Sequence, residues 1–495
     1  MDRREFLRIA GASGGLAAAG TTGLLAACHT NGAGFVRSDG SVNGWLYRPT
    51  TASPNSLTLT AHQATVEIAP GVHSPVLTWG TGPIGPTIEA RTGQRATITM
   101  RNELTEPTIA HWHGLRPPEA ADGHPRLAVG SGQSYEYDFE IEERAGLYWY
   151  HSHAHNRTAP QVYLGLAGLF IIRDDAEDAL SLPNDRRELS LVLQDKRQDS
   201  SGKLVYDPFG PQLMEGFLAD TPFVNGIRFP RVEVDSALYR IRVLSASNAR
   251  IFRVGLSNGS PLVLIGVDGG LLDIPAQLRH IDIGTGERAD LLVDFSGLPA
   301  GTIVRLQSQE FPSPTRAMGM MMGGGRQGMG GAALPQGSQM DLLEFIVSRE
   351  VRESRQIPKT LVPLVRLDRA EASRERVFRF NSMMMSHTVN SRSFDMSRVD
   401  ERVPFGATEV WRFVNDSPFP HPIHMHAVHF QVLTRTGGRG EVFAWERGWK
   451  DTVLVFPGEE VEVIACFDRH RGMFLLHCHN LEHEDAGMMM NFVIE

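Results

Sequence analysis

Histidines recur in this sequence at a spacing of two residues. A chance distribution of the 19 histidines among 495 residues gives fewer than about one His-x-His pair, yet the sequence holds five. In a β-strand, residues i and i+2 point to the same face, about 6 to 7 Å apart, so one pair can present two imidazoles to one metal cluster. The five pairs are His111/His113, His151/His153, His153/His155, His424/His426 and His477/His479.

Four separate segments supply these pairs, and one pair from each gives eight imidazoles. A single pair would be a weak signal, because histidines are common at surfaces and core edges. Eight imidazoles are too many for one zinc ion, which takes four ligands. The sequence therefore predicts a centre that holds several metal ions.

The segment HCHNLEHEDAGMM, residues 477–489, places a thiol between two imidazoles. Strand alternation sends Cys478 to the face opposite His477 and His479. We therefore predict that the thiol serves one metal site while its two neighbours serve another.

Other soft and nitrogen ligands lie close to the thiol in sequence. His483 and Met488 follow Cys478, and His421 of HPIHMHAVHF can complete the set. Two imidazoles, one thiolate and one thioether are the ligands of a blue-copper electron-transfer site with a weak axial methionine. Zinc would favour four strong ligands, and an iron–sulfur cluster needs more cysteines.

The elements that must position these ligands read as β-strands. Short runs rich in β-branched and aromatic residues, such as RATITMRNEL, SYEYDFEI and EVWRFVND, alternate with Gly, Pro, Asn and Asp. Many short strands with turns between them are typical of antiparallel sandwiches or barrels, and long helical periodicity is hard to find. We predict an all-β chain.

Composition shifts divide the chain into three β units. An acidic joint lies near residue 180, and a stretch rich in methionine and glycine follows residue 311. The predicted units are 45–177, 185–310 and 372–495, with a Met/Gly-rich linker region at 311–371. The middle unit contains only His280, so the metal chemistry belongs to the first and third units.

Bulk composition excludes several classes of protein. The net charge is -9 with mixed signs, and no block is basic enough to follow a nucleic-acid backbone. Three cysteines cannot form a disulfide framework. Beyond the N-terminal segment, no apolar run reaches the length that spans a bilayer.

Residues 1–28 resemble a twin-arginine export signal. Arg3 and Arg4 precede Phe6 and a weakly apolar run rich in glycine and alanine. The last four residues of this segment resemble a lipoprotein box, in which Cys28 would carry a lipid anchor; cleavage that discards Cys28 is the alternative. We expect a periplasmic or cell-envelope protein.

Four motifs together resemble those of the multicopper oxidases, most closely the bacterial branch of three-domain laccases and cuprous oxidases. They are HWHG at 111, HSH at 151, HPIHMH at 421 and HCHNLEHEDAGM at 477. The resemblance covers essentially the whole mature chain. It implies three cupredoxin-like Greek-key β-sandwich domains, with a trinuclear copper cluster between the first and third.

The resemblance also implies four copper ions and assigns their ligands. The type 1 copper would be held by His421, Cys478, His483 and Met488. The type 2 copper would be held by His111 and His424. The type 3 pair would be held by His113, His151, His153, His426, His477 and His479.

In this family, a small reducing substrate gives single electrons to the type 1 copper. By the resemblance, each electron passes along the Cys478 backbone to His477 and His479, and four electrons reduce O2 to two waters. Reduction of O2 also consumes protons, so carboxylates near the cluster are expected to relay them. Asp122 and Glu484 match the family's acidic positions for that role.

Two substrate classes compete within this family. A laccase-type oxidase of phenols is the leading hypothesis, and a cuprous oxidase in copper tolerance is the alternative. The Met/Gly stretch at 318–329, the three methionines at 383–385 and the export signal favour Cu(I). Phe419 and Pro420 stand against it, since they precede His421 where soft ligands would be expected.

Proteins outside the enzyme class form further alternatives. Some exported relatives of this fold have lost their coppers and serve as scaffolds in cell division, but this sequence lacks no ligand. Copper storage or simple electron transfer would not need eight further histidines. Two-domain nitrite reductases share the blue site without four His-x-His pairs.

Overall fold

A computed structural model describes residues 44–313, 333–352, 356–383 and 386–495, together with the backbone of Phe35–Val36. The export signal, Cys28 and the methionines between residues 318 and 329 lie outside these described residues, so the interpretations placed on them remain predictions. Of the three consecutive methionines, only Met383 is described.

The described residues are mostly β-strand, as the sequence predicts. The first short strand is β1 (Phe35–Val36), and the first compact set of strands follows it. This set comprises β2 (Thr51–Ala52), β3 (Asn55–Ala69), β4 (Val72–Thr78), β5 (Thr87–Arg91), β6 (Arg95–Asn102), β7 (Ala110–His113), β8 (Ser134–Glu140), β9 (Gly146–Ser152) and β10 (Ala167–Arg173).

This first set forms two sheets around one apolar core. One sheet has the order β2-β5-β10-β9-β7 and the other the order β4-β3-β6-β8. Buried side chains alternate along β6 with exposed or partly exposed ones, the pattern of a strand with one face on a core. Trp112, between the two histidines of β7, lies in that core. The flanking His111 and His113 therefore point to the other face of the sheet.

A second set of strands follows in the chain. Its members are β11 (Glu188–Gln198), β12 (Leu204–Val205), β13 (Thr221–Val224), β14 (Ile227–Arg228), β15 (Arg231–Asp235), β16 (Leu238–Ser245), β17 (Phe252–Leu256), β18 (Leu262–Val267), β19 (Gly270–Leu278), β20 (Ile281–Ile283), β21 (Arg288–Asp294), β22 (Ile303–Ser308) and β23 (Gln339–Arg349). One sheet has the order β14-β13-β11-β16-β21-β18-β19, with β12 beside β11. The other has the order β1-β23-β22-β17-β20, with β15 beside β23.

Part of the predicted linker, 311–371, is therefore a strand of this second set. β23 pairs with β22 in antiparallel fashion and with β15 in parallel fashion. Its sequence QMDLLEFIVSR buries Met340, Leu343 and Phe345 in the second core. The apolar content of this strand outweighs the glycine-rich composition just before it, so a strand lies inside the range that composition predicts as a linker.

The third set of strands carries the C-terminal histidines. Its members are β24 (Arg374–Met383), β25 (Ser386–Val389), β26 (Glu401–Val403), β27 (Thr408–Asn415), β28 (His421–Met425), β29 (Phe430–Thr436), β30 (Thr452–Val455), β31 (Glu460–Cys466), β32 (Gly472–Cys478) and β33 (Met489–Ile494). They form sheets of order β25-β24-β27-β31-β29 and β26-β33-β32-β28-β30. Three pairs of sheets thus confirm the predicted all-β sandwiches.

Helices in the described residues are few and short. The α-helices are α1 (Thr158–Leu164), α2 (Asp175–Asp178), α3 (Pro211–Glu215) and α4 (Leu481–Asp485). The single-turn 3₁₀-helices are Glu119–Ala121, Pro125–Leu127, Asp185–Arg187, Arg369–Glu371 and Ala444–Glu446. None of the described helices is long and apolar enough to cross a membrane.

Candidate copper centres

Neighbouring strands bring the four His-x-His segments together in pairs. In the first set, β7 runs antiparallel to β9 and places His111 opposite His151. In the third set, β28 runs antiparallel to β32 and places His424 opposite His477. Each pair of strands thus ends in a patch of imidazoles, which is why the histidines repeat at strand spacing in both halves of the chain.

The two patches meet in a single buried cluster. The eight rings are 0 or 1% exposed, and their ligand atoms approach one another in three overlapping groups. These groups are His111/His113/His424, His113/His151/His479 and His153/His426/His477. The first and third sets of strands both contribute to each group.

The Nε2 atoms of His111 and His424 face each other. The Nδ1–H of His111 donates to the carbonyl of Asp122 at 2.6 Å, and that of His424 donates to the carbonyl of Asp451 at 2.9 Å. A neutral imidazole then offers its Nε2 lone pair, and the two Nε2 atoms lie 3.4 Å apart. Two lone pairs at this distance repel unless a cation lies between them, so the pair is suited to a metal ion.

A second group is built in the same way. His477 Nδ1 donates to the carbonyl of Cys478 at 3.1 Å, and His426 Nδ1 donates to Asp122 Oδ2 at 2.7 Å. Their Nε2 atoms are 3.1 Å apart, and His153 Nε2 lies 3.5 Å from that of His477. Three imidazole nitrogens therefore converge at one point.

The third group contains buried nitrogens with no partner. His113 Nδ1, His151 Nε2 and both ring nitrogens of His479 have no hydrogen-bond partner. Buried polar atoms are almost always paired in folded proteins. Orphaned nitrogens in a cluster that is otherwise well hydrogen-bonded therefore fit a site built for metal ions.

Burial also sets the protonation state of these rings. It holds the pKa of His111, His113 and His426 well below the ordinary value, and neighbouring histidines lower it further. These three rings are thus neutral near neutral pH, which is the state that binds a metal ion.

Cys478 lies at the centre of a separate group, as strand alternation predicts. Its Sγ is 3.3 Å from His421 Nδ1 and 3.7 Å from His483 Nδ1, and these two nitrogens are 3.2 Å apart. The Nε2–H of His421 donates to Ser417 Oγ at 2.6 Å. Both Nδ1 lone pairs and the sulfur therefore point to one place.

The thiol of Cys478 needs a cation to ionise. Burial raises its pKa far above the ordinary value, although the backbone N–H of Asn480 contacts the sulfur at 3.4 Å. A metal ion displaces such a proton outright. Met488 is fully buried in the same core cluster as Cys478, and its carbonyl accepts the N–H of Cys478 at 3.1 Å.

The two predicted acids both lie within the histidine cluster. Asp122 Oδ2 accepts from His426, and Oδ1 has no hydrogen-bond partner but lies 3.7 Å from His111 Nδ1. Burial, aided by Glu119, raises the pKa of Asp122 well above its usual value. Glu484 lies 3.3 Å from His477 Nδ1 and 3.6 Å from His153 Nε2. Burial opposes its ionisation, yet these rings hold the pKa of Glu484 below its usual range.

Sequence reasoning missed a third carboxylate in the site. Asp451 Oδ1 accepts from His113 Nε2 at 3.0 Å and from Arg288 Nη1 at 2.7 Å. Although burial works in the opposite direction, Arg288 and His113 hold the pKa of Asp451 well below its usual range. A lone Asp in WKDTV carries no ligand spacing, so nothing in the sequence pattern marks it.

A loop of the second set of strands also reaches the cluster. Thr285 Oγ1 donates to the carbonyl of His479 at 2.5 Å. Gly286 has a φ of +84°, and a Cβ built there would lie 2.9 Å from His113 Cε1 and 3.1 Å from His479 Cδ2. Only glycine allows this backbone to pack against the two rings. The second set carries no ligand but completes the wall of the site.

Comparisons with known proteins agree with this geometry. Models of the multicopper oxidase family match residues 60–177 and 367–495. A laccase from Bacillus stratosphericus is 30% identical over 466 residues, which cover 82% of this chain and 88% of the relative. The cell division protein FtsP of Dickeya dadantii is 29% identical over 514 residues, which cover 100% of this chain and 99% of that protein.

Solved structures show the same architecture. The crystal structure of the McoA multicopper oxidase from the hyperthermophile Aquifex aeolicus matches with a TM-score of 0.82 and 34% identity, over 92% of this chain and 99% of that chain. The chain therefore belongs to the multicopper oxidase family, and it is an oxidoreductase that uses copper to pass electrons from a reducing substrate to O2.

Proposed function

We propose that this protein is a laccase-type oxidase that removes single electrons from phenols and delivers them to O2. One relationship carries the proposal: Cys478 contacts His421 and His483, while the adjacent His477 belongs to the histidine cluster. An electron-entry site and an oxygen-reducing site are thus joined by one peptide. A simple chelator or storage protein has no need of that connection.

We assign four copper ions to the ligands named from the sequence. When bound, they supply a one-electron acceptor at Cys478 and a centre for four-electron reduction of O2 at the eight histidines. The His111/His424 pair fits the type 2 position. The groups His113/His151/His479 and His153/His426/His477 fit the two type 3 positions, because together they contain the six histidines that the family resemblance assigns to that pair.

The backbone of Cys478 gives the electrons two routes into the cluster. One runs through the covalent chain to His477 and His479 on either side. The other is the hydrogen bond from His477 Nδ1 to the carbonyl of Cys478, at 3.1 Å. This bond also fixes the ring so that Nε2 faces the cluster, which is the role of such partners in metal sites.

Asp122 and Glu484 are suited to hold and deliver the protons that O2 reduction consumes. Asp122 has a raised pKa and an Oδ1 that makes no hydrogen bond, so it can hold a proton beside His426. Glu484 is ionised against His153 and His477, so it can accept one. A neutral acid and an ionised acid on one cluster are the arrangement that stepwise proton transfer requires.

Oxidation of Cu(I) is the second candidate, with Cu(I) as substrate. Met383 is 60% exposed at the end of β24, and the methionines at 318–329 add soft donors in the sequence. Phe419 stands against it, since its ring lies 6.2 Å from that of His483 and offers no ligand atom. Phenol oxidation therefore remains the stronger proposal.

Metal analysis and turnover test both candidates on the copper-loaded full chain. We expect about four coppers per chain, a blue absorption band, and O2 consumption driven by syringol. Fewer coppers or no blue band would instead support a copper-poor scaffold. Removing Met318, Met320, Met321 and Met322 together tests the Cu(I) candidate, because undiminished Cu(I) oxidation would exclude a role for that stretch.

We further propose export by the twin-arginine route to the periplasm or cell envelope, with a lipid anchor at Cys28. The support is the sequence of residues 1–28. Cell fractionation tests it: replacing Arg3 and Arg4 by lysine should keep the protein in the cytoplasm, and Cys28→Ser should release it from membranes. Unchanged fractions in both variants would contradict the proposal.

A further inference from the structure

The segment HWH of β7 repeats the arrangement of HCH at 477–479, with an oxidisable side chain between two histidines of the cluster. In both segments the imidazoles join the cluster, and the residue between them lies in an apolar core. Cys478 joins the cluster to the thiol site, whereas Trp112 lies among aromatic rings. An indole can lose one electron, so Trp112 occupies a position from which it can exchange electrons with the cluster.

The rings in contact with Trp112 lead from the core to the surface. The indole lies edge-on to Tyr137 with centroids 4.9 Å apart, and the ring of Tyr137 lies 5.0 Å from that of Tyr135. Centroid distances of this size are those of aromatic rings in direct contact. Trp112 and Tyr137 are buried, whereas Tyr135 is partly exposed near the start of β8. Three oxidisable side chains thus connect the ligand segment to solvent.

Hydrogen bonds decide where an electron vacancy comes to rest on this series of rings. Trp112 Nε1 makes no hydrogen bond, and the hydroxyl of Tyr137 donates to the carbonyl of Ala110 at 2.9 Å. A backbone carbonyl cannot take a proton from an oxidised ring. The hydroxyl of Tyr135 also donates to a carbonyl, that of Ala120 at 2.6 Å, but it lies near solvent and can release its proton to water. A tyrosine radical persists only after this proton is lost, so the vacancy settles on Tyr135.

We infer that Trp112, Tyr137 and Tyr135 form a second electron path, which supplies the histidine cluster when the thiol site cannot. The inference goes beyond the proposed function and rests on its assignment of the eight histidines to the oxygen-reducing site. Trp112 gives one electron to O2 that is only partly reduced at the cluster, and it recovers one from Tyr135 through the ring of Tyr137. Tyr135 loses one proton to water and becomes a neutral radical. One electron from the reducing substrate and one proton from water restore the phenol.

This path would protect the ligands when electron donors are scarce. Reduction of O2 needs four electrons, and a cluster that stalls after fewer holds a strong oxidant beside buried imidazoles. Trp112 is adjacent in the chain to His111 and His113, so oxidative damage would fall on this segment. Transfer of the vacancy to Tyr135 moves it to a side chain that a dissolved donor can reach.

Copper-loaded Cys478→Ser isolates the path, because it should lack the type 1 copper. Full reduction then leaves three electrons on the three coppers of the cluster, one fewer than O2 requires. After mixing with O2 and rapid freezing, electron paramagnetic resonance should show an organic radical that approaches one per chain. Ring-deuterated tyrosine should narrow this signal, which would assign it to tyrosine. Oxidation of all three coppers without a radical would overturn the inference.

Tyr135→Phe in the Cys478→Ser background decides which tyrosine carries the radical. Phenylalanine keeps the ring but is much harder to oxidise, so the tyrosine signal should disappear. Tyr150→Phe is the matched control, because the ring of Tyr150 also lies close to Trp112, with centroids 5.7 Å apart. Its other aromatic contact, Trp79, is only 2% exposed, so this branch ends inside the protein. The control should keep the signal, and equal signals in the two variants would contradict the path.

Turnover with limiting donor tests the path in protein that keeps Cys478, and it decides the question if Cys478→Ser loses copper from the cluster. Wild type, Tyr135→Phe and Tyr150→Phe consume limiting syringol under O2, and mass spectrometry then measures oxygen addition to the peptide that contains Trp112. We expect several-fold more oxidation in Tyr135→Phe than in the other two proteins. With excess syringol the thiol site supplies every electron, so this difference should vanish.

Equal oxidation of this peptide in Tyr135→Phe and wild type under limiting syringol would overturn the inference. A difference that persists with excess syringol would also overturn it, because it would show that the hydroxyl of Tyr135 only supports packing. A wild type that binds copper but consumes no O2 would instead refute the proposed function.

Discussion

Arg288 of the second set of strands binds Asp451 of the third set beneath the histidine cluster. Its Nη1 donates to Asp451 Oδ1 at 2.7 Å, and neither side chain is exposed. The same Oδ1 accepts from His113 Nε2 at 3.0 Å. This buried ion pair thus links the second set of strands, which carries none of the predicted ligands, to the ring of His113.

Asp451→Asn should therefore destabilise the protein and loosen copper at the cluster. The change removes the closer of two acidic partners of the buried Arg288 and leaves only Asp268, 3.8 Å from Nη1, so the cost should approach the ~3 to 5 kcal/mol of a broken buried ion pair. Chemical denaturation measures the loss, and copper analysis should show fewer ions in the cluster with the blue band retained. The exposed pair Arg95–Asp138 offers the control, since Asp138→Asn should change neither quantity.

Because the thiol site and the histidine cluster use different ligands, Cys478→Ser should affect only the thiol site. A serine hydroxyl is a poor ligand for copper, so the blue band should vanish and one copper per chain should be lost. The histidine cluster uses other ligands and should keep its copper. Cys466→Ser, at the end of β31, is the matched control and should leave the spectrum unchanged. A blue band in Cys478→Ser would contradict the assignment of the thiol.

The ligand groups could be predicted from the sequence because they repeat at the period of a strand. Trp112 lies in the core between His111 and His113, and Cys478 lies in the core beside His477. Both show the alternation of faces that the spacing implies. Resemblance to the family supplied the pairing of distant segments. Spacing alone could not place His111 opposite His424.

The residues around the ligands could not be predicted, because they act through single contacts between distant segments. Asp451 accepts from the ring of His113, Thr285 donates to the carbonyl of His479, and the ring of His387 stacks on that of His483. None of these three residues recurs at a diagnostic interval. Met214 accepts from His483 Nε2 through its backbone carbonyl, a group that every residue possesses. β23 was missed for a different reason, since a composition average over residues 311–371 hides one apolar strand.

Gly286→Ala should impair the cluster and spare the thiol site. The new Cβ would contact His113 and His479 and would also strain a φ of +84°. Gly259→Ala is a matched control, because its φ is +71° and a Cβ there meets no atom within 4 Å. Both variants should lose similar stability from the backbone, about 1 kcal/mol. Only Gly286→Ala should slow the reoxidation of the reduced enzyme by O2. Equal reoxidation rates in the two variants would contradict the close packing of Gly286 against His113 and His479.

A buried ion cluster at the acidic joint should make stability depend on pH. Arg242 Nε binds Glu188 Oε1 at 2.6 Å, and Arg173 Nη1 binds Oε2 at 2.9 Å. Burial works against ionisation, yet these cations lower the pKa of Glu188 to about 2. The carboxylate therefore stabilises the fold above its unfolded pKa of about 4.5, and this contribution disappears as pH falls toward 2.

Glu188→Gln tests this contribution. At neutral pH it should lower the free energy of unfolding by about 3 kcal/mol, and the difference from wild type should shrink below about pH 4. Denaturation at a series of pH values measures the effect. Glu233→Gln on the exposed side of β15 is the control and should show no such dependence. A constant difference across the series would contradict the low pKa.

Asp122→Asn should slow O2 reduction without moving the ligands. The amide oxygen can still accept from His426 Nδ1, and the backbone carbonyl that binds His111 is unchanged. The variant lacks only the ionisable proton, and loss of a general acid costs about 10²- to 10⁴-fold in rate. Anaerobic reduction by ferrocyanide should proceed at the wild-type rate, whereas stopped-flow reoxidation by O2 should fall by that factor. Reoxidation at the wild-type rate would remove Asp122 from the proton path and leave Glu484 as the remaining candidate.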